Sequence, residues 1–182
     1  KFNMVYRIPY IDQTQRHGIS FLFDYSENNN IAFQTEDHIQ SFYDADELLR
    51  TEQTYGVGYT FRNSFYIFHR VNLSFNYNTV RDTVAILNPE YYKNSNTSQR
   101  YFTLRYGFTY DKRDFNPYPL KGRRFDFDIR KFGLSLFDDL DQWEIKLGLS
   151  QHYDLGKKFF FSNYTSLSFT FPSDQPYSNF NA

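Results

Sequence analysis

The chain has 182 residues, and its 20 Lys and Arg residues against 21 Asp and Glu give a formal net charge of −1. This balance argues against a nucleic-acid-binding protein, which carries a basic excess. The lack of cysteine excludes a disulfide scaffold, a Cys-ligated metal and a thiol nucleophile. No apolar run approaches the ~18 residues of a membrane-spanning helix. Yet 22% of the residues are aromatic, and a soluble domain of this size has too little interior for so many rings.

Eight segments alternate between apolar and polar residues, as strands with one apolar and one polar face require. In chain order they are residues 1–11, 18–33, 54–62, 65–80, 100–114, 122–137, 141–154 and 158–172. Several exceed the usual ~5–6 residues of a globular strand and reach the ~9–11 residues with which a tilted strand crosses a bilayer. The pattern predicts an all-β, antiparallel transmembrane barrel.

The two faces of these strands differ in chemistry. On the apolar face we predict the following lipid-facing side chains: Phe102, Leu104, Tyr106, Phe108, Tyr110, Phe125, Phe127, Ile145, Leu147, Leu149, Phe169 and Phe171. On the polar face we predict the following charges, which would line a hydrated barrel interior: Arg105, Asp111, Arg113, Asp126, Asp128 and Arg130. These charges either anchor an inserted loop or pair with one another, and mutual pairing is the favoured interpretation.

The connections between the segments alternate in length. Residues 12–17, 62–65, 115–121 and 155–157 are short connections, 34–53 and 81–99 are long and polar, and the connection near 138–140 is tight. Short periplasmic turns and longer outer loops are typical of outer-membrane barrels.

Two local features depart from the strand pattern. Residues 43–51 have a helical composition, with acidic residues early and Arg50 late, and predict a short loop helix. In residues 122–137 the apolar positions change parity after Ile129 and continue at Phe132, which predicts a β-bulge near 131–133, with two strands or a twist at the barrel rim as the alternative.

The best-defined motif runs from Tyr110 to Arg123 with the sequence YDKRDFNPYPLKGR, in which proline and glycine allow a tight reversal between two strands. This hairpin resembles the periplasmic turn of the Omp85 superfamily, the D15-type bacterial surface antigens, whose pattern is Asp-x-Arg-Asp followed by Pro-x-x-Gly. The matching residues are Asp111, Arg113, Asp114, Pro119 and Gly122. The succession of strands and turns over residues 100–171 extends the resemblance.

The resemblance implies a bacterial outer-membrane barrel of about 16 strands, preceded by POTRA domains, that inserts or exports proteins without enzyme activity or cofactor. Residues 1–182 would then be part of one barrel domain with about eight of its strands, and the POTRA domains and C-terminal strands would lie outside the chain. The implied partners are outer-membrane lipid or lipopolysaccharide, client outer-membrane or exported proteins, and accessory assembly subunits. Asn, Tyr, Phe and Lys usage resembles that of Bacteroidota proteins.

Other interpretations stay open. The subfamily could be BamA-like, TamA- or TamL-like, a secretion pore or a patatin-linked protein. A self-contained eight-stranded barrel with a structural, adhesive or pore function is the main alternative, and a soluble β-rich binding module is a third. No nucleophile motif or phosphate loop occurs, and the four histidines lack metal-ligand spacing. We therefore predict no catalytic, cofactor or metal site.

Overall fold

The computed structural model describes residues 1–92, 94–137, 139–172 and 176–180. The elements found there are β1 (Phe2–Ile8), β2 (His17–Asn28), β3 (Asn30–Glu36), β4 (Ile39–Asp44), β5 (Arg50–Arg62), β6 (Ile67–Val80), α1 (Asp82–Leu87), β7 (Ser98–Arg113), β8 (Gly122–Phe132), β9 (Gln142–Gly156), β10 (Phe159–Phe171) and α2 (Tyr177–Phe180). Neither helix of this described part has the length and hydrophobicity needed to cross a membrane.

Eight strands form one antiparallel sheet in the order β1-β2-β5-β6-β7-β8-β9-β10, and β3 pairs with β4 in a separate hairpin. This arrangement confirms the predicted all-β antiparallel fold, and each predicted segment supplies one strand of the large sheet. The register from β2 to β9 contains no shift. Because side chains alternate between faces, an unshifted register keeps each face chemically uniform from strand to strand.

The loop helix predicted for residues 43–51 is wrong. Strand β4 continues to Asp44 and β5 begins at Arg50. Between them the backbone N–H of Ala45 donates to the carbonyl of Asn29, and that of Leu49 donates to the carbonyl of Asn28. These bonds to another segment satisfy donors that a helix would have satisfied internally. A helix forms instead in the connection between β6 and β7, where α1 buries Val84 and Ala85.

The bulge predicted near residues 131–133 is also wrong, and so is the alternative of two strands, because residues 133–137 form no strand. The other alternative, a twist at the barrel rim, stays a prediction. Strand β8 stays in register with both neighbours up to Phe132. Gly133 then adopts a φ of +78°, while its N–H donates to the carbonyl of Phe102 at 2.7 Å. The parity change after Ile129 therefore marks the end of the strand.

The buried apolar residues of the described chain lie mainly in the long connections at one end of the sheet. We call this cluster the loop core, and its members are Ile31, Leu49, Val80, Val84, Tyr91 and Tyr92. Tyr177 of α2 packs against it, and its N–H donates to the carbonyl of Glu90 at 3.0 Å. By contrast, apolar side chains on the strands stay exposed, such as Phe21 at 48% and Leu167 at 50%. In the described residues, the buried apolar cluster therefore lies beside the end of the large sheet and not against its apolar face.

Candidate functional site

The register brings all twelve predicted lipid-facing residues to one face of the sheet, which we call the apolar face. In β7, Phe108 lies opposite Phe127 and Tyr110 lies opposite Phe125. Rings on neighbouring strands touch, with centroids 5.2 Å apart for Phe75 and Phe102. The rings thus form a nearly continuous aromatic and aliphatic surface, and its contact with lipid stays a prediction.

All six predicted interior charges lie on the opposite face, the polar face, where the structure joins them into ion pairs. Asp128 accepts from Arg105 Nε at 2.5 Å and from Arg130 Nε at 3.0 Å. Arg130 Nη1 also lies 3.2 Å from Glu144 Oε2, and Glu144 Oε1 lies 2.6 Å from Lys146 Nζ. The pairs therefore run across β7, β8 and β9.

A second group of ion pairs lies nearer the short turns. Asp111 binds Arg113 through two contacts, of 2.8 Å and 2.6 Å. Arg124 Nε donates to Asp126 Oδ2 at 2.7 Å, and its Nη1 lies 3.9 Å from Asp111 Oδ2. Sequence reasoning missed Arg124, although it has the same parity as Asp126. We call the two groups together the paired field, in which each charged side chain forms an ion pair with another. Its members are Arg105, Asp111, Arg113, Arg124, Asp126, Asp128, Arg130, Glu144 and Lys146.

The turn motif stabilises the 114–121 loop through distinct contacts of its residues. Asp114 Oδ1 accepts backbone hydrogen bonds from Phe115, Leu120 and Lys121 at 2.9, 3.0 and 3.1 Å. These bonds, that from Lys121 foremost, lower the pKa of Asp114 below its usual range. Gly122 has a φ of +106°, and a Cβ there would overlap the carbonyl oxygen of Lys112. Pro119 lies within the loop, and the motif thus fixes the turn.

Another carboxylate organises the turn between β1 and β2. Asp12 accepts the hydroxyl of Thr14 and the backbone N–H groups of His17 and Arg16, the latter two at 2.9 and 3.1 Å. The hydrogen bond from Thr14 contributes most to lowering the pKa of Asp12 to about 2. In the described residues no group of three or more His, Asp or Glu side chains converges as a metal site would require.

Comparison with known proteins assigns this arrangement to a family. The sequence profile of the Omp85 superfamily domain matches residues 1–182. The chain belongs to the Omp85 superfamily. The Omp85 fold is that of a non-enzymatic family of outer-membrane barrels. The profile match confirms the predicted family, and the antiparallel sheet confirms the predicted fold class.

The fold of this Omp85 chain is also similar to a solved structure. The crystal structure of BamA from Haemophilus ducreyi lacking POTRA domains 1–3 superimposes with a TM-score of 0.61 at 15% identity. The match covers 92% of this chain and 32% of the BamA chain, so the Omp85 chain spans about a third of that protein. No curated protein matches the sequence closely enough to count as a relative. The likeness to BamA therefore concerns the fold.

Proposed function

We propose that this chain forms part of the barrel wall of an outer-membrane factor that inserts or translocates other proteins. The observation that supports this most is the eight-stranded sheet with one apolar face and one ion-paired face, in a chain of the Omp85 superfamily. In a bilayer the apolar face meets acyl chains and the polar face lines the interior. The short turns then lie in the periplasm, and the loop core lies outside the cell.

The exposure of the sheet supports a lipid environment. Leu104 is 41% exposed and Phe169 52% exposed, and burying such side chains is worth ~1.5–3 kcal/mol each. Acyl chains provide that burial without a second protein layer. The backbone groups of every spanning strand must also be paired, which in lipid requires a closed barrel. About eight further strands would close a barrel of ~16 strands around this wall.

The proposed role of these residues is structural and needs no cofactor. Lipid or lipopolysaccharide contacts the apolar face, and client outer-membrane or exported proteins contact the interior. Accessory assembly subunits would act from the periplasmic side, and nucleic acid is not a partner. The strands described here contribute the wall, and the paired field keeps its inner surface rigid and hydrated.

Reconstitution tests this proposal. The natural full-length protein in proteoliposomes should accelerate the folding of a urea-denatured outer-membrane barrel client, measured as the heat-modifiable band on gels. Liposomes with an unrelated porin at the same protein-to-lipid ratio are the control. A client-folding rate equal to the control, together with no transfer of an exported client into the lumen, would contradict the proposal. Channel conductance in that case would support the pore alternative.

A further inference from the structure

A large cavity on the polar face lies at the short-turn end of β1, β2, β5 and β6, outside the paired field. It has a volume of about 510 Å³, within the ~300–1,000 Å³ range of small-molecule and cofactor sites. Four arginines line it, and we call it the arginine pocket: Arg7, Arg16, Arg62 and Arg70. Guanidinium groups keep their charge at any physiological pH, so the pocket carries four positive charges.

These arginines lack the partners that the arginines of the paired field have. Among the described residues, none of the four has a carboxylate oxygen within 4.0 Å. Arg70 Nη2 lies 3.3 Å from the hydroxyl of Thr109, and Arg62 Nη2 lies 3.4 Å from the carbonyl of Gln15. The nearby Asp12 carboxylate already binds backbone N–H groups of its own turn. In a chain of net charge −1, the pocket is thus a local excess of unpaired cations.

Apolar groups stand beside the guanidiniums. The pocket is lined by Tyr10 and Phe68 as well as by the arginines. The Arg62 guanidinium lies 6.0 Å from the centroid of the Tyr10 ring and 5.7 Å from that of the Phe65 ring, which orients it by cation–π attraction. Guanidinium groups bind carboxylates through two parallel hydrogen bonds. In a ligand with carboxylates next to apolar side chains, the carboxylates would bind the arginines and the apolar side chains would pack against the aromatic rings of the pocket.

We infer that the arginine pocket binds an acidic polypeptide segment, in which Asp or Glu residues alternate with apolar ones. The inference rests on the proposed function, since it places the segment in a client that approaches from the periplasm. A lipid headgroup is the weaker candidate because its acyl chains belong on the apolar face. The pocket lies on the other face of a sheet that is one layer thick, so one lipid would have to reach around the sheet.

Peptide binding to the natural full-length protein in detergent tests the inference. The probe is a short fluorescein-labelled peptide that alternates Glu with Phe and Ser, and its partner has Gln in place of Glu. Fluorescence anisotropy should show binding of the Glu peptide, which weakens with added salt, and none of the Gln peptide. The double variant Arg7→Gln/Arg70→Gln should weaken binding about tenfold or more, since two charge-assisted hydrogen-bonding groups are lost.

The matched control is Lys112→Gln/Arg123→Gln. It removes the same charge at the same end of the sheet, but these residues lie opposite each other on the apolar face, where Arg123 stacks 5.8 Å from the Tyr110 ring. Its affinity for the Glu peptide should equal that of the natural protein. Equal losses in both double variants, or no loss in Arg7→Gln/Arg70→Gln, would overturn the inference. Heat-modifiable migration confirms that each variant is folded.

Measurements in lipid nanodiscs distinguish the two possible sources of the bound anion, a peptide carboxylate and a lipid phosphate. In nanodiscs of phosphatidylcholine the Glu peptide should bind as in detergent, and added phosphatidylglycerol should leave its affinity nearly unchanged. Displacement of the peptide by phosphatidylglycerol in both the natural protein and Lys112→Gln/Arg123→Gln, which keeps all four pocket arginines, would assign the pocket to lipid phosphate and overturn the peptide assignment. Client folding in proteoliposomes is measured separately, so failure of peptide binding with intact client folding refutes the inference alone.

Discussion

At the scale of single residues, parity along a strand decides which environment a side chain meets. Thr103 and Leu104 are neighbours in β7, yet Thr103 receives a hydrogen bond from Asn76 on the polar face at 3.0 Å. Leu104 lies opposite Leu73 on the apolar face. Substitutions at these two positions therefore test the assignment of the faces at one place along one strand.

Leu104→Arg should destabilise the folded barrel by ~2–4 kcal/mol, because it places a charge near the middle of a lipid-facing strand. Thr103→Arg adds the same charge on the hydrated face and should cost much less. The measurement is the free energy of unfolding in urea with the protein in lipid vesicles. Equal costs would show that the two faces have been assigned wrongly.

Asp128→Asn should destabilise the protein by about 1–3 kcal/mol, because two guanidiniums lose their shared carboxylate. The Asp128 side chain is 16% exposed, although the partly exposed Arg105 reduces the cost through solvent screening. Asp24→Asn is the control, since Asp24 accepts from Asn3 and lies outside the paired field. The midpoint of urea unfolding should fall for the first variant and stay nearly constant for the second.

At the scale of elements, the turns depend on a few backbone positions. Gly122 begins β8 and Gly156 ends β9, and both have positive φ values, +106° and +80°. Only at Gly122 would a Cβ collide with another part of the backbone, whereas at Gly156 nothing lies within 4 Å. A comparison of alanine substitutions at these two glycines separates the cost of steric overlap from the cost of a left-handed backbone conformation.

Gly122→Ala should cost about 2–4 kcal/mol, because the backbone of Lys112 and Arg113 at the end of β7 must move to make room for the Cβ. Gly156→Ala should cost about 1–2 kcal/mol, the usual penalty of a left-handed conformation for an L-residue. Urea unfolding of both variants in the same vesicles provides the comparison. A larger cost at Gly156 would mean that the turn between β7 and β8 tolerates displacement.

The Asp114 turn should loosen in acid. Because the pKa of Asp114 is lowered on folding, its charged form stabilises the turn above the ordinary pKa of 3.8. That stabilisation is lost as the pH falls through the lower pKa of the folded state. Hydrogen exchange at the amides of Leu120 and Lys121 should accelerate in this acidic range beyond its intrinsic pH dependence. In Asp114→Asn, which has no charge to lose, the amide protection should not change there.

At the scale of the whole molecule, the two ends of the sheet differ in the structures that connect the strands. Short turns occupy one end, and the loop core occupies the other. Under the proposed orientation, Asn63 in the β5–β6 turn faces the periplasm and Ile86 of α1, 78% exposed, faces the outside. These 182 residues contain no cysteine, so a single introduced cysteine is the only thiol in this part of the protein, and the natural protein serves as the background control.

Ile86→Cys should react with a membrane-impermeant maleimide on intact cells, whereas Asn63→Cys should react only after the outer membrane is permeabilised. Gel shifts with a polyethylene glycol maleimide measure both. The reverse pattern would invert the orientation, and labelling of neither residue on intact cells would place the loop core away from the cell surface.

Much of the sheet could be predicted because apolar and polar residues alternate over long runs. Every second residue from Phe102 to Tyr110 is apolar, for example, so that each position adds evidence for the same strand. The pairings could not be predicted, because Arg105 and Asp128 meet only when the register of β7 and β8 is known. The loop core was missed since Tyr91 and Tyr92 are flanked by polar residues and meet Leu49 only in the folded chain. The arginine pocket joins Arg7 and Arg70 from strands distant in sequence.

The loop core has a consequence for how the exposed surface of this protein can vary. Loops that face the outside of a cell meet antibodies and phages, and their sequences usually diverge freely. Here Val84, Tyr91 and Tyr92 are at most 3% exposed, so changes at these positions cost folding stability. Under the proposed orientation, antigenic drift should concentrate at outward side chains at the same end of the sheet, such as Ile39 and Phe42 of β4 at 71% and 60% exposure.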